Sequence, residues 1–222
     1  MKYIIIIGDI INSKNISNRQ IFQENLKNYL YNINKEYDKY LVSNFTVTLG
    51  DEFQAVFNDS KYIFEIIDKI QFFINPIKIR FGIGIGNIIT NIDKNLSIGS
   101  DGPGYWNARK CIDKLRKYHE RGIKDITNIM IKGIDNESLE LLLNQIINLL
   151  SILKRRWTTN QNKMIEFIVN NYGYYNDFLQ IDLSKELNID SSSVNRRLKY
   201  SKFYDYLNSI LIISKIINKE IK

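Results

Sequence analysis

The strongest constraint on the fold is an unbroken apolar run near the N-terminus. Tyr3 to Ile7 is followed at once by Gly8 and Asp9. A run of β-branched residues without polar alternation is typical of a strand that is buried in the middle of a sheet. The segment therefore predicts a central strand that ends at a carboxylate.

The elements that follow predict a βαββαβ unit, the split βαβ arrangement. Short connections and right-handed crossovers favour the strand order 4-1-3-2. In this order the end of the first strand lies beside the start of the third, so Asp9 lies next to Asp51. The predicted elements are a helix from a Ser17–Gln20 capping box to about Tyr37, strands over 45–49 and 53–57 joined as a hairpin, a helix from Asp59-Ser60, and a strand over 77–86.

The second half of the chain is predicted to be mainly helical. A helix begins at Asp101-Gly102-Pro103, because proline suits the first turn. A strand over 126–131 and a helix over 136–153 follow, and the motif Lys154 to Trp157 marks a boundary. Beyond it, helices over 180–187 and 191–199 have helix-turn-helix spacing. The sequence thus predicts an α+β fold with a ferredoxin-like domain over 1–153 and a small helix-turn-helix domain over 154–222.

Charge, cysteine content and hydropathy indicate the kind of partner and the cellular compartment that suit this chain. The net charge is +7, and residues 151–222 contribute +5 of it, with 12 Lys/Arg and 7 Asp/Glu. This excess indicates an anionic partner or a solvated basic surface. The lone Cys111 excludes an internal disulfide, which favours the cytoplasm. The N-terminal run is too short for a signal peptide, and the apolar stretch 206–217 is too short and polar to span a membrane.

Asp9 and Asp51 are the candidate catalytic and metal-binding residues. A metal that handles nucleotide phosphates prefers hard oxygen ligands, usually one or two carboxylates. Two such ions would activate a hydroxyl and stabilise leaving pyrophosphate. Taken singly, each acid is also explained by turn chemistry at a strand end. The predicted convergence of the two favours a metal site.

Four motifs in order resemble the SatD family. They are Gly8–Lys14 (GDIINSK), Thr48–Gln54 (TLGDEFQ), Ile79–Gly86 (IRFGIGIG), and Asp101-Gly102-Pro103 leading to Ala108-Arg109. The resemblance covers the N-terminal domain and, more loosely, the helix-turn-helix.

This family in turn is similar to the nucleotidyl cyclase and GGDEF enzymes, whose palm domain binds two Mg²⁺ ions, or Mn²⁺. The resemblance implies that Asp9, Asp51 and the backbone carbonyl of Ile10 are metal ligands, and that Arg109 contacts phosphate. It also implies a nucleoside triphosphate, or a cyclic or dinucleotide, as ligand, and a homodimer. The candidate nucleotide-binding residues are Asn12, Ser13, Lys14, Gly50, Glu52, Asp101 and Arg109.

The chain departs from those enzymes where they read the base. Leu49 replaces the first glycine of GGDEF, Val47 stands where class III cyclases have a lysine, and Tyr105 stands where they have an asparagine. The resemblance therefore supports the metal site more than base recognition.

Three further features of the sequence bear on a phosphate or metal site. Gly82, Gly84 and Gly86 alternate on one strand, which favours close helix packing over phosphate binding. The helix that opens at Asp101 offers free amides to a phosphate, or is simple helix initiation. His119 is the only histidine, which argues against a histidine metal site or a catalytic triad.

The predicted second helix of the helix-turn-helix carries polar and basic side chains that suit DNA. Arginine and asparagine read base edges, whereas lysine and serine contact phosphates. A helix-turn-helix that serves only protein contacts is the alternative. The candidate DNA-binding residues are Ser192, Ser193, Asn195, Arg196, Arg197 and Lys199.

Three functions follow from these patterns. The first is a metal-dependent nucleotidyl transferase or cyclase acting on a nucleoside triphosphate. The second is a non-catalytic nucleotide sensor that binds double-stranded DNA as a transcriptional regulator. The third is an interaction protein in which Asp9 and Asp51 are structural.

Overall fold

A computed structural model describes residues 1–48, 50–123 and 126–222. Its five-stranded sheet has the order β2-β3-β1-β4-β5, with β1 antiparallel to both neighbours and β4 parallel to β5. The first four strands have the predicted order. The strands are β1 (Tyr3–Ile10), β2 (Leu41–Val47), β3 (Glu52–Phe57), β4 (Ile79–Gly86) and β5 (Ile129–Lys132).

The described residues also form eight α-helices, so the fold belongs to the predicted α+β class. Two short 3-10 helices, Ser13–Asn15 and Asp38–Tyr40, complete the described helical structure. None of the described helices combines the length and apolar character that crossing a bilayer requires. The helices are α1 (Arg19–Glu36), α2 (Ile63–Ile74), α3 (Pro103–Glu120), α4 (Glu137–Arg155), α5 (Thr159–Asn171), α6 (Gln180–Glu186), α7 (Ser191–Ser201) and α8 (Phe203–Glu220).

The first strand is buried on both faces, as its composition predicts. Ile4 and Ile6 point into the large core that contains residues of α1 and α2, whereas Ile5 and Ile7 point into a smaller core beneath α3. Because successive side chains alternate between faces, Asp9 shares the α3 face with Ile5 and Ile7.

Glycines of β4 set the distance between α3 and the sheet. A Cβ atom on Gly82 would lie 2.3 Å from the carbonyl oxygen of Ala108, and one on Gly84 would lie 2.1 Å from that of Gly104. Only glycine allows the helix backbone to approach so closely. The prediction that these glycines serve helix packing is confirmed.

The C-terminal helices pack against the rest of the chain. Helices α5 and α8 contact α2, α4 contacts α8, and one hydrophobic cluster contains residues from both halves. The predicted boundary after residue 153 falls in the last turn of α4. The helices predicted over 180–187 and 191–199 are present as α6 and α7.

Several predicted element starts are wrong for identifiable reasons. The Ser17–Gln20 capping box does not form, because Asn18 occupies the cap position in a left-handed conformation, with φ of 56°, and its side chain makes no cap bond. Helix α2 begins at Ile63 rather than at Asp59-Ser60, because the Asp59 carboxylate binds the amide of Lys61 in a local turn.

Several strand limits also differ from the prediction, among them the start of β4, which is Ile79 rather than Ile77. β2 begins at Leu41 rather than Phe45, and β5 covers Ile129–Lys132 rather than 126–131. The predicted end of the second strand at Leu49 lies outside the described residues.

Candidate functional site

Charged residues from three neighbouring strands meet at one end of the sheet. In the antiparallel register Asp9 of β1 is opposite Glu52 of β3 on one side and Arg80 of β4 on the other. Residues opposite each other on paired strands point to the same face. This face is covered by α3, which adds Arg109 and Arg116.

Both carboxylate oxygens of Asp9 are paired with arginines. Arg80 Nη1 donates to Oδ2 at 2.7 Å, and Arg116 Nη2 donates to Oδ1 at 2.6 Å. Asp9 itself is buried. A buried carboxylate is costly unless it is paired and hydrogen-bonded, so the two guanidinium groups compensate its desolvation.

Glu52 is paired in the same manner. Arg109 donates to its two carboxylate oxygens at 2.5 and 2.6 Å, the bidentate geometry that guanidinium and carboxylate groups favour. This hydrogen bonding raises the pKa of Arg109, and the bond to Asp9 raises that of Arg116. Arg116 also lies 3.8 Å from Glu52, so the ion pairs form one cluster.

We call Asp9, Glu52, Arg80, Arg109 and Arg116 the charged cluster. Two acids and three arginines give it a net charge of +1. The acids are buried, whereas the side chains of Arg109 and Arg116 are 42% and 41% exposed. The cluster therefore presents positive charge to solvent over buried carboxylates.

Asp51 lies beside this cluster but has different partners. The amide of Ile10 donates to the backbone oxygen of Asp51 at 2.9 Å, which places Asp51 next to the end of β1 as predicted. Its carboxylate accepts a hydrogen bond of 2.6 Å from Ser13 Oγ. Asp9 and Asp51 are thus close in the backbone, while their carboxylates are held by different groups.

The loop after β1 turns back towards Asp51 through a residue in the left-handed backbone conformation. Asn12 has φ of 56°, and Ser13 is buried while Lys14 is exposed. Gly50 has φ of 79°, and its carbonyl oxygen accepts a hydrogen bond from the Gln23 side chain. Three of the predicted nucleotide-binding residues, Asn12, Ser13 and Gly50, therefore define the backbone path around Asp51.

Asp101 lies apart from the other predicted site residues. Its carboxylate accepts from the Gly102 amide and from the Trp106 indole at the start of α3. That start packs on Gly86, which is opposite Tyr3 at the far end of β1. Six residue-to-residue steps along the strand, about 20 Å, separate Tyr3 from Asp9. The structure does not bring the N-terminus of α3 to the acidic pair.

His119 contacts the charged cluster through Arg80. Arg80 Nε donates to His119 Nδ1 at 2.8 Å. Burial, followed by the positive charge of Arg80, lowers the pKa of His119. The imidazole is therefore neutral at pH 7 and serves as an acceptor that orients Arg80 towards Asp9.

Sequence reasoning missed Arg80, Arg116 and His119. Arg80 alternates with the glycines of β4, so it shares their α3 face. Arg116 follows Arg109 by two helical turns, so both lie on one side of α3. These spacings could have identified the two arginines.

Two cavities adjoin the loop after β1. One of about 740 Å³ is lined by Asn12, Asn15, Asn18 and Phe22, among others. Another of about 800 Å³ lies towards α4 and α8. Ile11, Asn12, Ile77 and Lys78 line both. Each volume is in the range of small-molecule sites.

Among the described residues, few side chains are placed to bind a metal ion together. No group of three or more His, Cys, Asp or Glu side chains with suitable geometry occurs among the described residues. Magnesium is commonly held by one or two carboxylates, with waters and substrate phosphates completing its shell. Asp51 and Asp9 could supply that number.

The predicted DNA-binding residues lie on α7. Asn195, Arg196 and Lys199 are exposed and Arg197 is half-buried. The hydroxyls of Ser192 and Ser193 donate to Asp190 at 2.5 and 2.7 Å, and this hydrogen bonding lowers the pKa of Asp190. Asp190 caps α7 by accepting from the Ser193 amide, and the two serine hydroxyls hold its carboxylate in that position.

Together these features define an α+β protein with a charged cluster at one end of a mixed sheet and a helical C-terminal part. The chain belongs to the SatD family, whose model matches residues 3–217. No curated protein matches it.

Proposed function

We propose that the end of the sheet around Asp9 and Asp51 binds the phosphates of a nucleotide together with a divalent cation. In this proposal the first four strands form a ferredoxin-like palm of the nucleotidyl-cyclase type. The observation that carries it is the convergence of Asp9, Asp51 and Glu52 with Arg109 and Arg116. Acids for a cation and arginines for phosphates are the two groups that nucleotide binding needs.

The residues fit such a cation. The Asp51 carboxylate has a neutral donor, Ser13, which does not oppose a metal ion. Asp9 is paired with Arg116, whose half-exposed side chain can turn from the carboxylate to a phosphate. Asp51 and Asp9 would then hold the cation, which would neutralise phosphate charge, while Arg80 keeps Asp9 in place.

Arginines carry the phosphate side of this proposal. Arg109 and Arg116 exchange a carboxylate for a phosphate, an equally good bidentate acceptor. The cavities of about 740 and 800 Å³ are lined by Asn12 and not by the charged cluster. In this proposal the remainder of the nucleotide extends from Asp51 along the loop after β1 into one of them. Asp101 is too distant along the sheet to join this site.

Calorimetric titration with each nucleoside triphosphate, with and without Mn²⁺, tests the proposal. Wild-type protein should bind at least one triphosphate more tightly with Mn²⁺. Asp51→Asn should abolish the contribution of Mn²⁺, and Arg116→Gln should weaken binding. Asp205→Asn is the matched control, because Asp205 is an exposed acid on α8, outside the charged cluster. Absence of binding, or equal effects of Asp51→Asn and Asp205→Asn, would contradict the proposal.

An assay for pyrophosphate release distinguishes a catalytic site from one that only binds a nucleotide. In a transferase or cyclase, a hydroxyl oxygen bonds to the α-phosphorus, the bond to pyrophosphate breaks, and the hydroxyl proton passes to solvent. Pyrophosphate release that Asp51→Asn abolishes supports the enzyme. Metal-dependent binding without release supports a nucleotide sensor.

A second function, DNA binding by α7, is favoured by the exposed side chains Asn195, Arg196 and Lys199. In this proposal α6 and α7 form a helix-turn-helix, and α7 enters the major groove. Fluorescence anisotropy with genomic fragments should show binding that weakens with salt. Replacing Arg196 and Arg197 with alanine should reduce the affinity, whereas Lys163→Ala, an exposed cation on α5, should not. Lack of binding at low salt would reject this function.

A further inference from the structure

The outward side of α4 exposes three leucines to solvent. Leu141, Leu142 and Leu149 are 64%, 56% and 64% exposed. With Gln145 and the half-buried Ile152 they lie within about 100° around the helix axis, at 100° per residue. We call these five residues the α4 stripe. Contiguous exposed leucines of this kind mark interaction surfaces.

The inward side of α4 is apolar, with Leu143, Ile147 and Leu150 buried in the large core. Asparagines beside this side bind the backbone of the neighbouring segment. Asn144 accepts from the Ile131 amide and donates to the Ile131 carbonyl, both at 2.9 Å. Asn148 accepts from the Thr127 amide at 2.8 Å. Asn144 thus binds the backbone of β5, the last strand of the sheet, and Asn148 binds the residue Thr127 ahead of it. The fold therefore buries the inward side of α4 and binds its asparagines, whereas Leu141, Leu142 and Leu149 stay exposed on the outward side.

Charge at the two ends of α4 indicates what covers the stripe. Glu137 precedes the stripe and Arg156 follows it, and both are exposed. Asp135 and Arg155 lie beside them, but Asp135 is paired with Lys2 at 2.6 Å and Arg155 donates to the Ile126 carbonyl. No charged residue occurs from Leu141 to Leu153. The surface thus has an acidic end, an apolar middle and a basic end.

We propose that the α4 stripe docks on the same stripe of a second copy of this chain, with the two helices antiparallel. A two-fold axis near the middle of α4 places the acidic end of each helix beside the basic end of the other. A parallel arrangement would instead bring like charges together. The surface is thereby complementary to itself in one orientation only.

The contact area sets the expected strength. One stripe from a 19-residue helix is smaller than a standard protein interface. Interfaces of that size bind weakly unless they contain strong hot spots, so the dimer should dissociate in the micromolar range. This proposal does not depend on nucleotide or DNA binding.

Sedimentation velocity of the full chain over a micromolar concentration series tests the docking. Wild-type protein should shift from the mass of one chain to twice that mass. Leu149→Glu should raise the dissociation constant by about tenfold or more, because it places a charge in the apolar centre. Ile21→Glu is the matched control, since Ile21 is 57% exposed on α1, which packs on β2 at the opposite edge of the sheet.

Charge reversal tests the antiparallel orientation with variants confined to exposed positions. Glu137→Arg and Arg156→Glu should each weaken the dimer. The double variant should restore it, because both contacts are then inverted together. A monomer at all concentrations overturns the proposal, as does equal loss in Leu149→Glu and Ile21→Glu. Absence of restoration in the double variant overturns the antiparallel pairing.

Discussion

Asp9 and Glu52 lie directly opposite each other on β1 and β3, and each buried carboxylate is held by an arginine of α3. Two like charges on opposite positions of paired strands are unfavourable by themselves. Arg109 and Arg116 remove that repulsion and fix α3 over the end of the sheet. The same contacts thus stabilise the fold and assemble the candidate site.

Arg109→Met should destabilise the protein by about 1 to 3 kcal/mol, because Glu52 would remain buried without its bidentate partner. The lower part of that range allows for the partial exposure of Arg109. Chemical denaturation at neutral pH measures the change. Lys110→Met is the control, since Lys110 is an exposed cation on the same helix. Equal effects of the two variants would show that the ion pair does not stabilise the fold.

Gly84→Ala should cost about 3 kcal/mol or more, because the new methyl group would lie 2.1 Å from the Gly104 carbonyl oxygen and 2.3 Å from the Ala108 amide. Both obstacles are backbone atoms of α3 and cannot move separately. Gly99→Ala provides a comparison, since Gly99 has φ of 88° and no atom near the added methyl. It should cost only about 1 to 2 kcal/mol of backbone strain. A thermal unfolding midpoint of Gly84→Ala that equals that of Gly99→Ala would refute the packing argument.

Strand order and helix periodicity were predictable because both depend on local patterns and on general rules of chain connection. The continuous run from Tyr3 to Ile7 predicted the central strand, and the glycines of β4 predicted the close approach of α3. Element starts were less predictable. Asn18 and Asp59 select local turn conformations that compete with a helix start, and sequence spacing does not show which conformation prevails.

The candidate site was predictable only in part for a similar reason. Topology alone brought Asp9 to Asp51, so this pair could be inferred from strand order. The partners of their side chains depend on the pleat and on the rotation of α3, which placed Glu52 and Arg116 beside Asp9. The loop containing Asp101 resembled a phosphate site in sequence, but the direction of α3 places it at the other end of the sheet.

His119 should make stability depend on pH in a defined direction. Its pKa in the folded protein lies below the 6.5 that is usual for histidine. Between the folded-state pKa and 6.5, the unfolded chain binds a proton that the folded chain does not. The contribution of His119 to stability should therefore be fully present above pH 6.5, decrease as the pH falls through that window, and stay constant below it. Denaturation at several pH values measures the slope, and NMR titration of this single histidine gives its pKa directly.

His119→Gln is the control for this pH effect. Glutamine keeps an oxygen acceptor for Arg80 but does not titrate. Burial raises the pKa of Glu65 above its ordinary value. Between those two values the folded protein binds a proton that the unfolded chain does not, so this group makes stability fall as the pH rises. The difference between wild type and His119→Gln cancels this second contribution. An NMR pKa at or above 6.5 would contradict the predicted sign.

Lys154→Met should weaken the attachment of the C-terminal helices to α2. Lys154 Nζ lies 2.5 Å from Asp68 Oδ1, and Asp68 also accepts hydrogen bonds from the hydroxyls of Tyr174 and Tyr206. Because Asp68 is fully buried, loss of its cation should cost about 3 kcal/mol in the free energy of unfolding.

Adding Asp68→Asn to Lys154→Met should recover part of that loss, because the uncompensated charge is then removed while the tyrosines keep an oxygen acceptor. Lys163→Met, at an exposed lysine of α5, should change stability by less than about 0.5 kcal/mol. Urea denaturation of the four proteins measures these differences. If Lys154→Met matched Lys163→Met, or if the double variant were less stable than Lys154→Met, the buried carboxylate would not depend on this lysine. Recovery in the double variant would instead assign the loss to charge rather than to the packing of the lysine side chain.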